Sequence, residues 1–364
     1  MRVGLGALLV VLSGCAVLGQ GLCDFNMPVS HIRDADMSFA YRHVDDATTA
    51  GVDDSAGRFS GSYSVIYDSD VFGYSGLLNT NVALTDFVPT LWRGLSSASY
   101  RYYISRELPL FVYGGVSGSA DTALLQPGLE LRGGLGYGRF RDVTPLAMAY
   151  RISDALLAAG TIASAPSPRT LRKIADTLAP GDDEVAIADL VSALEGILES
   201  ASGVALDSTE LLLIEEELEQ WGEQRFCGMI VQMGVGQELL DASGGPRDVL
   251  YVMSADAAWP PTPSNQLRIR STVSTPFDVL TEHALLVELT YAASLLPAAE
   301  VRSSLSLRSV RTPGRPDVST LSASANYSVG AGRASVVAGV LLSHTLGSPG
   351  WTVDVSISAS VDLL

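Results

Sequence analysis

The segment Trp351–Leu363 alternates without a break, and this pattern constrains the chain more than any other feature. Trp351, Val353, Val355, Ile357, Ala359, Val361 and Leu363 fall on one face, against Thr352, Asp354, Ser356, Ser358, Ser360 and Asp362 on the other. Side chains in a strand change face at every residue, so the segment builds one apolar wall and one polar wall. At thirteen residues it is long for a globular strand, whose mode is about 5–6 residues. It suits a tilted strand that crosses a bilayer, which needs about 9–11.

The alternation recurs. Leu321, Ala323, Ala325, Tyr327 and Val329 oppose Ser322, Ser324, Asn326 and Ser328. Leu267, Ile269 and Val273 oppose Arg268, Arg270, Thr272 and Ser274, and Val301, Leu305 and Leu307 oppose Arg302, Ser304, Ser306 and Arg308. Phe59, Tyr63, Val65 and Tyr67 alternate with Ser60, Ser62 and Ser64. Similar stretches lie at 37–43, 71–84, 93–105, 109–118, 129–140, 226–238, 249–259, 283–291 and 333–344, for fourteen predicted strands, within two either way. Turn signals such as Ser243-Gly244-Gly245-Pro246 and Gly347-Ser348-Pro349-Gly350 separate them. Trp92, Tyr113, Tyr137, Trp259 and Trp351 lie toward strand ends, where aromatic girdles at two membrane interfaces would place them.

A soluble β-sandwich also alternates. Long strands, successive hairpins and polar faces of Ser, Thr, Asn and Arg favour a closed membrane barrel instead. Charged residues make up 17% of the chain, below the roughly 25% of soluble domains. The expected fold class is therefore all-β with a helical insert: an antiparallel transmembrane β-barrel.

The period changes between Thr144 and Gln224. Thr144-Pro145 reads as a helix start and Gly160 as its end. A second helix begins at Ser167-Pro168, with Leu171, Ile174, Ala175 and Leu178 on one face, and stops at Pro180-Gly181. A third follows Asp182-Asp183-Glu184 with the stripe Ile187, Leu190, Val191, Leu194, Ile197 and Leu198. A fourth opens on Asp207 and Glu210 at capping-box spacing and runs through Leu211, Ile214, Leu218 and Trp221. The expected organisation is a signal at 1–22, barrel halves at 23–141 and 225–364, and a helical insert at 142–224. Six strands before the insert would return the chain to the side of the N-terminus, which is the periplasm in bacterial barrels.

Arg2 followed by the apolar run from Val3 to Leu12 matches a secretory signal. Two processing routes stay open: cleavage before Gln20, or lipidation of Cys15 within the lipobox-like Leu12-Ser13-Gly14-Cys15. Cys23 and Cys227 could then pair in an oxidising compartment. No later stretch reaches the ~18 apolar residues of a spanning helix. A net charge of −17, with Lys173 the only lysine, argues against a nucleic-acid partner.

Catalytic and cofactor motifs are not found. Gly133-Gly134-Leu135-Gly136-Tyr137-Gly138-Arg139 has arginine where a dinucleotide fingerprint needs its third glycine. Glycines on a strand more often permit bending or leave room for a large neighbour. No G-x-S-x-G occurs, and His31, His43, His283 and His344 are scattered without metal-ligand spacing. Asp45-Asp46, Asp53-Asp54 and Asp68-Ser69-Asp70 read as solvated loop charge. Arg101, Arg132, Arg268, Arg270, Arg302 and Arg308, with Glu288 between, fall on polar faces and are candidates to line a lumen. Two roles stay open for them: favouring anions, or filling the barrel with a rigid ladder of charge pairs.

With signal, hairpins and terminal alternating strand together, the chain resembles a Gram-negative outer-membrane β-barrel, porin-like protein at the level of architecture. The resemblance implies an outer-membrane location, lipid and the outer-membrane assembly machinery as partners, and no cofactor. That family usually ends on an aromatic residue, whereas this chain ends Val361-Asp362-Leu363-Leu364. The expected function is non-catalytic. It is a porin-like channel for small solutes, a structural or surface-binding barrel with a plugged lumen whose acidic loops or helical insert bind a partner (for the insert, a periplasmic protein), or a lipid-anchored β-sandwich adhesin.

Overall fold

The structure is a computed structural model that describes residues 21–25, 27, 29–45, 53–85, 88–105, 108–122, 125–179, 186–219, 224–241, 244, 248–276, 282–296, 299–311, 317–331, 334–348 and 350–362. Residues 1–20 of the expected signal with Cys15, Pro180-Gly181, Asp182-Asp183-Glu184 and Trp221 lie outside the described residues, whereas Leu22, placed in the signal by the sequence, is part of a buried core. Six strands come first: β1 Ser30–Asp45, β2 Asp53–Asp68, β3 Phe72–Thr85, β4 Val88–Tyr103, β5 Leu110–Asp121 and β6 Gly128–Asp142. Four helices follow: α1 Thr144–Ala159, α2 Pro168–Leu178, α3 Ile187–Ser202 and α4 Ser208–Glu219. Then come β7 Phe226–Leu240, β8 Val249–Trp259, β9 Asn265–Pro276 and β10 His283–Leu296. The chain closes with β11 Ala299–Arg311, β12 Val318–Ala331, β13 Ala334–Thr345 and β14 Thr352–Asp362. Each predicted strand is present, extended by a few residues at one or both ends in most cases.

Every strand pairs with its sequence neighbours, and β14 returns to β1, so the sheet is a closed antiparallel barrel of fourteen strands. Register is continuous over long stretches, from Ser30↔Asp68 to Asp45↔Asp53 between β1 and β2, for example. The closing seam is shorter, running from Asp36↔Asp362 to Phe39↔Ala359.

Alternation divides the barrel wall into two surfaces. Phe111, Tyr113, Ile66, Ile230 and Val252 are buried and share parity with the polar set, so that set faces inward. Leu78, Val112, Leu135, Val235, Val340, Val355 and Ile357 stay exposed on the opposite face. Tyr113 is thus a correction: odd positions of β5 point inward, and its ring lies among inner-wall side chains rather than in a girdle. The glycine run of β6 leaves room for a large neighbour, one of the two purposes expected of it. Gly138 has φ 113°, open to glycine at little cost. At Gly136 a Cβ would collide with the Phe111 ring.

The chain divides into two compact units, the barrel being one. The other contains Arg141–Cys227, the described part of Met1–Met27, and Trp259–Leu267. Its core joins Ile152, Leu156, Ile174, Leu194, Leu198 and Ile214 to Leu22 and Phe25 from the N-terminal segment. Cys23 and Cys227 form a disulfide with Cα atoms 5.5 Å apart. Trp259, expected in a girdle, belongs to this unit. So does Gln266, whose buried amide clamps one residue, accepting from Phe226 N–H at 3.1 Å and donating to its carbonyl at 3.0 Å.

Helix starts differ partly from expectation. Val143, not Thr144, is the N-cap of α1. The Thr144 hydroxyl is instead engaged by Arg225, accepting from its N–H at 2.8 Å and donating to its carbonyl at 3.2 Å. The predicted capping box of α4 is present. Asp207 Oδ1 accepts from the N–H of Thr209 (2.7 Å) and Glu210 (3.1 Å), while the Glu210 carboxylate accepts from Asp207 N–H.

Two tests follow from these features. Cysteines at Phe39 and Ala359, directly opposed across the closing seam, are expected to form a disulfide in the folded barrel, read as retained compact migration on a non-reducing gel. The second concerns pH. The Glu210 backbone N–H, then its side chain, holds the Asp207 carboxyl below its ordinary value of 3.8. A lowered pKa stabilises the fold above the unfolded-state value, and that contribution disappears as pH falls through the folded-state value. The helical circular dichroism of wild type should therefore become less heat-stable below about pH 4, and D207N should flatten that dependence.

Candidate functional site: the charged inner face of the barrel

The inner face is built mainly from short hydroxyl and amide side chains. Ser60 and Ser62 of β2 stand opposite Asn81 and Asn79 of β3. Ser75 and Ser99 join by their hydroxyls at 2.8 Å, as do Ser304 and Ser324 at 2.8 Å. β-Strand alternation makes such a surface from sequence alone, because every second position is polar over most of each strand.

On this background the structure brings the predicted arginines against carboxylates. Arg268 of β9 grips Asp256 of β8 with two bonds, Nε to Oδ1 at 2.9 Å and Nη2 to Oδ2 at 2.6 Å. Arg270, two residues along, lies 3.6 Å from the same carboxylate and 4.0 Å from Glu288 of β10. Arg132 holds Glu130 on its own strand through bonds of 2.8 and 2.9 Å, and Arg302 lies 3.4 Å from Glu300. Arg308 shares the face, with Leu286 and Thr320 as its register neighbours. These groups are partly accessible: the Arg268 side chain keeps 22% of its surface and that of Arg302 38%. Asp256, Glu130 and Glu300 were missed by sequence reading, although each lies on the polar parity of its strand.

Arg101 differs from the others. Its side chain is 3% exposed and its Nη2 lies 3.6 Å from the fully buried Asp68 carboxylate. Tyr103 donates its hydroxyl to Asp68 at 2.7 Å, and the Phe140 N–H donates to the other oxygen at 3.3 Å. Arg139 stacks over the Tyr103 ring at 4.4 Å and pairs with Asp70 at 2.7 Å. Asp68 is therefore not solvated loop charge. It continues the inward parity of Ser60, Ser62 and Ser64, which is how the sequence could have shown it.

The outer face has its own order. Tyr67 stacks on Tyr74 (5.0 Å) and Phe72 (5.3 Å), and Phe72 on Tyr100 (5.9 Å), where β2 turns into β3. At the opposite end His344 stacks on Trp351 at 4.9 Å. Among the described residues no group of three or more His, Cys, Asp or Glu is placed to hold a metal ion.

The buried cluster yields a direct expectation. Removing one member of a buried ion pair leaves the other charge unpaired and costs about 3–5 kcal/mol. D68A should lower the temperature at which the barrel unfolds in detergent, and Y103F, which removes one hydrogen bond, should lower it by less.

No protein-family model and no curated protein matches the chain. Solved structures similar to it include the translocator domain of the autotransporter NalP from Neisseria meningitidis, at 9% identity and TM-score 0.25, over 99% of this chain and 95% of that one. OpdQ from Pseudomonas aeruginosa is similar at 7% identity and TM-score 0.32, over 92% and 98%. A Rhodopseudomonas blastica porin mutant is similar at 8% identity and TM-score 0.27, over 92% and 100%.

Proposed function

We propose that the chain is an outer-membrane β-barrel whose lumen is a water-filled passage for small polar solutes. The observation that carries this reading is the inner face: largely polar around the closed sheet, and partly accessible at the charged side chains of β8 to β11. Fourteen strands spaced ~4.8 Å apart and tilted ~40° give a backbone cylinder about 28 Å across; the buried inward rings of Tyr103, Phe111 and Tyr113 narrow it where β4 passes into β5, and the short hydroxyl and amide side chains leave the room elsewhere.

The outer face supports a bilayer as its surroundings. A closed sheet leaves no unpaired edge to hydrocarbon, and its apolar surface needs a nonpolar solvent. On β4 the exposed Trp92 and Tyr102 share one face, ten residues apart. That is about 26 Å along the membrane normal at the same rise and tilt, against an apolar band of about 25 Å. Export through the N-terminal signal belongs to this reading, and the Cys23–Cys227 disulfide supports an oxidising compartment.

The test is the mature protein purified in detergent, run heated and unheated, then added to a planar bilayer. Compact unheated migration with stepwise conductance is expected. A heat-modifiable but non-conducting protein would be a structural or surface-binding barrel, and a protein soluble without detergent would overturn the membrane reading in favour of an adhesin.

A further inference from the structure

We infer that the passage is made for uncharged, hydroxylated solutes, because Arg132, Arg268, Arg270 and Arg302 of its wall stand against carboxylates; the inference rests on the channel reading above. The sum of charge along one arc of the wall is the starting observation. Asp256 on β8, Arg268 and Arg270 on β9 and Glu288 on β10 form one connected set with two charges of each sign. The next strand repeats the arrangement with Glu300 and Arg302, and β6 with Glu130 and Arg132.

Distance decides what a solute would feel. Paired charges a few ångströms apart present a dipole, whose field decays faster than that of a lone guanidinium. A solute passing this arc therefore meets opposed charges whose contributions largely cancel. Nearer the wall it meets hydroxyls and amides: Ser62 and Asn79, Ser75 and Ser99, Ser304 and Ser324, and Asn326. These groups both donate and accept, which matches a sugar or polyol and gives no advantage to a carboxylate or an ammonium. The bidentate grip of Asp256 on Arg268 also fixes both side chains against the wall.

The design predicts that the acids, not the arginines, set selectivity. Wild-type channels in a potassium chloride gradient should show nearly equal potassium and chloride permeability. D256N/E288Q removes the two carboxylates described against Arg268 and Arg270 and should shift the permeability ratio several-fold toward chloride. In proteoliposomes, swelling with a neutral pentose should exceed swelling with gluconate for wild type, and the double variant should narrow that difference. A wild type already tenfold selective for chloride would overturn the inference, as would a double variant with unchanged reversal potential. If the double variant does not fold, R268Q/R270Q replaces it, with the opposite shift toward potassium expected and no shift overturning the inference. Absence of conductance in the folded wild type would instead overturn the channel reading itself.

Discussion

Backbone hydrogen bonding is what the rest of the structure depends on. A sheet with apolar side chains over one whole face cannot end in hydrocarbon without leaving N–H and C=O groups unpaired, and each such group is costly. Closure from β1 to β14 removes the problem. Once the sheet closes, one parity of every strand must look inward, and the polar residues go there together. The inner chemistry is thus a by-product of the same geometry that satisfies the wall.

Within that wall, register decides which charges meet. Arg268 and Arg270 are two residues apart on one strand, so both reach the neighbouring Asp256 on the same face. A slip of one residue would send every one of these groups to the outer face. Charge pairing and strand register are therefore two readings of one constraint. The buried Asp68–Arg101–Tyr103 cluster adds a fixed point of the same kind where β2 and β4 end.

Much of this was legible in the residues. Period-two alternation located the strands because it reports the pleat directly, and period-3.6 stripes located the helices for the same reason. The Asp207–Glu210 capping box was read correctly because its partners lie within one turn. What could not be read was partnership across distance. Thr144 looked like an N-cap until Arg225, remote in sequence, engaged its hydroxyl. Tyr113 looked like a girdle residue because aromatic identity was weighed above parity. Asp68 looked like loop charge because its neighbours Ser69 and Asp70 are turn residues, while the groups that bury it come from β4 and β6. Trp259 and Gln266 belong to the helical unit although their segment alternates like a strand.

The Cys23–Cys227 bond gives the chain a covalent topology that differs from its linear order. The two half-cystines are 204 residues apart, so β1 to β6 and all four helices lie on one closed molecular ring, and β7 to β14 form a tail leaving it. A protease that cuts a single loop anywhere on the ring would produce no separate fragment until a reductant was added. A cut in the tail would release its piece covalently at once. The loops of the two parts therefore respond unequally to proteolysis, and the part that begins the chain is the one retained after a single cut.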